Sequence, residues 1–299
     1  MTMEAFVRRT LSELLALLNL EKVDETHFRG ASVFETSARV FGGQVIAQAL
    51  VAATRTVEPE RSVHSLHGYF MRPGDTSKDI LFDVECLRDG KSFATRRVTA
   101  HQNGEAIFAL AASYQVVEPG YSHHAPMPKV PPPEELVVDP VVAEKVTRRL
   151  PETFSAWFGP DRALDVRPAV LQTRVEGPAG IPVQYFWARA NGEMGDDQTV
   201  HQAVLAYVSD LGLLPTAGIA HQLGVVTSSV QWASLDHAMW FHRPLRADQW
   251  LLFMEESPSA SNARGFSRGL VFTREGEHVA SLAQEGLMRP VQVPLAKDA

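Results

Sequence analysis

The chain has 299 residues, of which 45% are hydrophobic and 21% charged, and a formal net charge of −7. That composition excludes an intrinsically disordered chain, and the length admits one large domain or two medium ones. The acidic balance, with no run of five or more basic residues, lacks the footprint of a nucleic-acid binder, and no stretch approaches the roughly 18 unbroken apolar residues of a membrane span.

The opening segment, MTMEAFVRRTLSELLALLNL, interleaves charges with apolar positions and has no small-residue cleavage site, so it does not read as an export signal. Phe6, Leu11, Leu14, Leu15 and Leu18 recur at helical spacing, while Glu4, Glu13 and Glu21 dilute the basic face a membrane-surface helix needs. This helix is expected to dock on the domain behind it. Residues 40–57 are apolar on nearly all sides and predict a helix buried all round. β-Rich runs bounded by turn residues follow at 64–70, 80–87, 93–102 and 106–117. The single cysteine, Cys86, falls in one of them and is expected to be a buried strand residue in a reducing compartment. Residues 118–133 hold six prolines, which deny backbone donors and keep a linker extended. A helix-like stretch at 141–158 comes next. The same grammar then restarts, with an apolar helix at 200–214 and strands at 230–241, 250–255, 265–273 and 278–289.

The restart is a repeat. Phe70-Met71-Arg72-Pro73 is echoed by Phe241-His242-Arg243-Pro244, an offset of 244 − 73 = 171 residues. Gly104-Glu105 and Leu110-Ala111 return as Gly276-Glu277 and Leu282-Ala283 at 276 − 104 = 172, and Phe93 returns as Phe266 at 266 − 93 = 173. A nearly constant offset over distinct strand and turn positions argues for duplication, with a period too long for a solenoid. Strands that follow one another without intervening helices pair antiparallel. The expected fold is α+β: two tandem copies of a curved antiparallel sheet wrapped around a long apolar helix. The expected divisions are an N-terminal domain at 1–118, a Pro-rich linker and helix at 119–160, and a C-terminal domain at 161–299.

Several chemistries lack their devices. There is no G-x-S-x-G nucleophile elbow and no G-x-G-x-x-G dinucleotide turn. Gly90-Lys91-Ser92 imitates the end of a phosphate loop, but Glu85 stands where the leading glycine belongs, so it reads as a turn. His64 and His67, three apart in a strand, are expected on opposite faces, unable to grip one metal. What is present is an asymmetry between the copies. Asp210 lies near the end of the second helix among Val204, Leu205, Tyr207, Val208 and Leu211, whereas the first helix has no acid from 41 to 56. A carboxylate there reads either as a helix-end turn residue or as a group held for chemistry. Gln284 stands where the other copy has Ala112 (284 − 172 = 112), and an amide on that strand either orients a water or is a satisfied core glutamine. Ser234, at a strand start, reads alone as a turn.

The strings Val40-Phe41-Gly42-Gly43-Gln44, His64-Ser65-Leu66-His67, Arg72-Pro73-Gly74-Asp75, DHAMWFHRP from Asp236 to Pro244, and residues 261–266 resemble the acyl-CoA thioesterase II family, the double hot-dog thioesterases, over nearly the whole chain. In that family an aspartate on the second hot helix, a threonine or serine on the following strand and a glutamine on the last strands hold the attacking water. The resemblance places Asp210, Ser234 and Gln284 in those roles. Serine rather than threonine at 234 keeps the hydroxyl and loses the methyl that fixes its rotamer. The implied activity is hydrolysis of fatty acyl-CoA to fatty acid and coenzyme A, with Asp210 as general base. No metal or cofactor is implied, since coenzyme A is part of the substrate. A covalent anhydride at Asp210 is the mechanistic rival. Backbone N–H groups near Gly42-Gly43 are expected to hold the oxyanion, and Arg72, Arg243, Arg264 and Arg268 are candidate partners for the coenzyme's phosphates. His64 and His67 are placed outside the site. The resemblance further implies a homodimer or dimer of dimers. The C-terminus is not an S-K-L-type address, so the cytoplasm is the expected location. Two other readings compete: a non-catalytic acyl-CoA binding module, which would need neither Asp210 nor Gln284, and a hot-dog hydratase, whose D-x-N-P-x-x-H-like string is absent.

Overall fold

The structure, a computed structural model, describes residues 9–32, 39–136, 162–170, 180–223 and 229–291. Helix α1 (Leu11–Leu18) begins at a reciprocal cap, in which Thr10 N–H donates to the Glu13 carboxylate at 2.7 Å and Glu13 N–H donates back to Thr10 Oγ1 at 3.3 Å. It buries Leu14, Leu17 and Leu18 in the core, as expected of a docked helix; Phe6 lies outside the described residues. Two short strands, β1 (Glu21–Lys22) and β2 (His27–Gly30), lead to α2 (Gly42–Thr54), in which every residue from Gly43 to Ala53 is buried. Its two buried amides are satisfied: Gln48 Nε2 donates to the Leu17 and Ala31 carbonyls and Gln44 Nε2 to Ala31, which ties α1 and the incoming chain to α2. Strands β3 (Arg61–Phe70), β4 (Ile80–Asp89), β5 (Phe93–Gln102) and β6 (Glu105–Val116) complete the first half.

The second half repeats the plan with β7 (Leu164–Val170), β8 (Val183–Ala190), α3 (Gln198–Ser209), α4 (Leu213–Ile219), β9 (Val230–Ser234), β10 (Asp236–Phe241), β11 (Leu251–Ser261), β12 (Arg264–Thr273) and β13 (His278–Pro290). All pairings are antiparallel, in the order β1-β2-β4-β5-β6-β3-β10-β13-β12-β11-β8-β7, with β9 on β13. Outward from the β3·β10 junction the two arms are copies: β3, β6, β5, β4, β2 on one side and β10, β13, β12, β11, β8 on the other. At that junction His67 opposes Ala238, and 238 − 67 = 171 is the sequence offset, so a strand pairs with its own repeat. Helices α2 and α3 pack against each other inside one shared core. No helix among the described residues is long and apolar enough to cross a membrane.

Four expectations are corrected. Strands precede the buried helix in each half, β1 and β2 in the first and β7 and β8 in the second, where none was expected; β2, at four residues, is too short to show a period. The helix expected over 200–214 stops at Ser209 and restarts as α4, because Pro215 has no N–H to return to the Leu211 carbonyl. Cys86 is exposed. It keeps the inward parity of Ile80, Phe82 and Val84, but residues 85–89 all run past the core and the register shifts between Cys86 and Arg88. His64 does not oppose His67 across the sheet. A register shift between Val63 and Ser65 turns it outward, onto Ser113 Oγ at 2.8 Å and the Phe93 ring. His67, also outward, stacks on Tyr69 and meets Asp236 at 3.3 Å. The stretch at 141–158 lies outside the described residues.

Candidate active site

Where α3 ends, Asp210 is the first residue of the turn, and its side chain reaches into the other half of the molecule. The start of α2 stands against it: a Cβ on Gly42 would lie 2.5 Å from Asp210 Oδ2, and the Gly43 N–H donates to the carboxylate. A helix N-terminus offers free N–H groups and a partial positive charge, so it favours an anion at that spot. Only glycine permits the approach, since a Cβ on Gly43 would come within 2.2 Å of the Tyr207 carbonyl oxygen.

Two side chains of the second half complete the shell. Gln284, in β13 and 2% exposed, donates from Nε2 to Asp210 Oδ1 at 2.8 Å. Ser234 closes β9 opposite Gly286, and its Oγ makes a longer contact of 3.4 Å to the same oxygen. The structure thus brings Asp210, Ser234 and Gln284 onto one carboxylate oxygen. Leu66 pairs with Ala112 in the first half, and Gln284 lies one step beyond the Ala238–Ala283 pair in the second, so the amide occupies the place of the Ala112 methyl. Asp210 is 8% exposed, and this burial pushes its pKa from 3.8 up to about 6, against the donors Gln284, Gly43 and Ser234 that favour its charge. The buried Gln284 Oε1 has no hydrogen-bond partner among the described residues.

Two buried groups near Asp210 escaped the sequence reading. His237, fully buried on β10, holds Ser209 Oγ at 2.8 Å through Nε2 and places Nδ1 4.0 Å from Asp210 Oδ1. Burial, followed by the charge of His67, pushes its pKa down to about 3, so it faces Asp210 uncharged. Glu255 on β11 is fully buried beneath the turn that carries Asp210. For His237 the available signal was its place in the DHAMWFHRP string; for Glu255, its inward parity beside Phe253.

Two other expectations meet the geometry differently. The Gly43 N–H is engaged by Asp210 rather than directed at an oxyanion. Each of the four candidate arginines has a protein partner: Arg72 donates to the Ala106 carbonyl, Arg243 to the His278 carbonyl and Ser122, Arg264 pairs with Glu285 and Arg268 with Glu256. Among the described residues no cluster of three or more His, Cys, Asp or Glu is arranged to hold a metal ion.

A buried helix enclosed by an antiparallel sheet, repeated once within the chain and joined edge to edge, is the double hot-dog architecture. A crystal structure of a hot-dog protein of unknown function from Alicyclobacillus acidocaldarius shares this fold at a TM-score of 0.71 and 21% identity, over 93% of this chain and 97% of that one. The family model described as acyl-CoA thioesterase matches residues 154–287, and that described as acyl-CoA thioesterase N-terminal domain matches residues 31–115. Acyl-CoA thioesterase 2 of Haemophilus influenzae is 39% identical over 279 residues, 93% of this chain and 98% of that protein. The crystal structure of the acyl-CoA thioesterase II TesB2 from Mycobacterium marinum superposes with a TM-score of 0.78 at 41% identity, over 92% of this chain and 98% of that one. The chain belongs to the acyl-CoA thioesterase family.

Proposed function

We propose that this thioesterase hydrolyses fatty acyl-CoA to fatty acid and coenzyme A with Asp210 as the base that activates water. Family membership supports the activity. The observation that carries the mechanism is the convergence of Gln284 Nε2, Ser234 Oγ and Gly43 N–H on the Asp210 carboxylate at the junction of the two halves. Those donors fix the carboxylate and favour its ionised form, while burial keeps it basic enough to take a proton near neutral pH. In the reaction one water proton passes to Asp210 and the water oxygen bonds the thioester carbon. The C–S bond then breaks, and the coenzyme A thiolate takes the proton back from Asp210. A thiolate leaves readily, so this chemistry requires neither metal nor cofactor. The base is within hydrogen-bond reach of Ser234 and Gln284, which orient the water.

The test is thiol release across short to long acyl-CoA esters, joined to a single turnover in heavy-oxygen water. The expected result is turnover with the label entering the fatty acid and none entering Asp210; label in the Asp210 side chain would replace the water mechanism with an anhydride. Tight binding without turnover would favour a non-catalytic binding module. We also propose the division into domains at 1–118 and 161–299 with the segment 119–160 between them, and a homodimer or dimer of dimers, which light scattering would refute by showing only a 33 kDa species. The reading includes a cytoplasmic location, to which a lone exposed thiol at Cys86 is suited.

A further inference from the structure

Behind the base stands a second carboxylate that the reaction above does not use. Glu255 is fully buried, with Oε2 accepting from Gln184 Nε2 of β8 at 2.8 Å and lying 3.2 Å from Thr216 Oγ1 of α4, while Oε1 has no partner among the described residues. Two glycines make room for it: a Cβ on Gly212 would come within 2.1 Å of Oε2, and one on Gly269 within 3.2 Å of Cγ. The hydrogens around this ring can be counted. Thr216 owns one hydroxyl hydrogen, and its Oγ1 sits 2.7 Å from the Gly212 carbonyl oxygen, which only accepts. Gln184 Nε2, with two hydrogens, also reaches the Gly212 carbonyl at 2.8 Å and Thr216 Oγ1 at 2.6 Å, so the five contacts among Gln184, Thr216, Glu255 and Gly212 share three side-chain hydrogens, and a proton on Glu255 supplies a fourth. A proton on Oε2 closes an unbroken chain from Glu255 through the Thr216 hydroxyl to the Gly212 carbonyl.

The groups facing Glu255 agree with a neutral acid. The α3–α4 turn presents Asp210, an anion when ionised, which itself meets the uncharged His237 of β10 at 4.0 Å. Strand β8 offers Gln184, β12 offers Gly269 and α4 offers Thr216, none of them charged. Among the described residues no cation faces the carboxyl.

We propose that Glu255 is a positioning residue that serves as a neutral acid, holding the Leu211–Gly212 turn beneath Asp210 and leaving the site's single negative charge on the base. This rests on the reading of Asp210 as that base. Burial first, and then the charge of Asp210, push the Glu255 pKa up to about 8. Ionisation of Glu255 would therefore break the chain to Gly212 and set two buried like charges side by side, closing the site at alkaline pH.

The experiment pairs infrared titration with pH profiles for wild type, Asp210→Asn and Glu255→Gln. Wild type is expected to keep one protonated buried carboxyl at pH 7 that titrates near pH 8, and in Asp210→Asn the same group should titrate at lower pH because the facing charge is gone. In wild type kcat/KM should rise through about pH 6 and fall above about pH 8. Glu255→Gln should retain the rise and lose the fall, holding about tenfold more of its own maximum than wild type one pH unit above the wild-type limb. An ionised Glu255 at pH 6, a titration unmoved in Asp210→Asn, or an alkaline limb unchanged in Glu255→Gln would each overturn the proposal. The infrared comparison needs only wild type and Asp210→Asn, so it decides the coupling whether or not Glu255→Gln folds. Full turnover in Asp210→Asn would sink the base assignment instead.

Discussion

Replacing Asp210 with asparagine should move activity and stability in opposite directions. Its folded-state pKa is raised from 3.8 to about 6 by burial, so the folded chain binds that proton more tightly than the unfolded one. The stabilisation that follows is fully present below about pH 4 and is lost as the pH rises through about 6. At about 1.36 kcal/mol per pH unit, an ionised Asp210 costs the fold on the order of 3 kcal/mol at pH 8. Asparagine removes that charge. Its Oδ1 can still accept from Gln284 and Ser234, but its Nδ2 then faces the Gly43 N–H, a lost hydrogen bond of about 1 kcal/mol. The net expectation is a variant more stable than wild type by about 2 kcal/mol at pH 8, with the advantage gone at pH 4. Turnover should fall by roughly 10²–10⁴-fold, the usual contribution of a general base. Urea unfolding at the two pH values and thiol release from the same preparations provide the readouts. A variant less stable at pH 8, a gain equal at both pH values, or turnover within tenfold of wild type would refute the reasoning.

Gly43→Ala should destabilise the protein by about 2 kcal/mol and lower kcat, because the new Cβ would meet the Tyr207 carbonyl at 2.2 Å and the Phe41 ring at 2.5 Å, forcing α2 from α3 where its N–H holds Asp210; thermal unfolding unchanged from wild type would contradict this. Ser234→Ala should lower kcat by about tenfold through loss of one orienting hydroxyl, whereas Ser234→Thr should stay within about threefold. Equal losses in steady-state assays of the two would detach the hydroxyl from the reaction.

Much of the architecture was legible because duplication leaves a constant offset and buried helices leave apolar runs. The 171-residue offset reappears physically as the pairing of His67 with Ala238, and the apolar run at 40–57 became α2. The exchange of Ala112 for Gln284 marked one copy as the polar one before any contact was visible. Other features had no local signature. The break after Ser209 follows from Pro215 in a run that otherwise looks helical, and the outward turn of His64 from one inserted residue in a ladder. Sequence by itself determined that there are two copies and that only the second carries the acid and the amide. Tertiary structure decided that the acid is held by the first copy's Gly43, that His237 faces it uncharged, and that Glu255 lies buried beneath it. Periodicity records which faces are apolar, whereas a buried polar group is defined by partners far away in the chain, as Gly43 is from Asp210, and only folding brings them together.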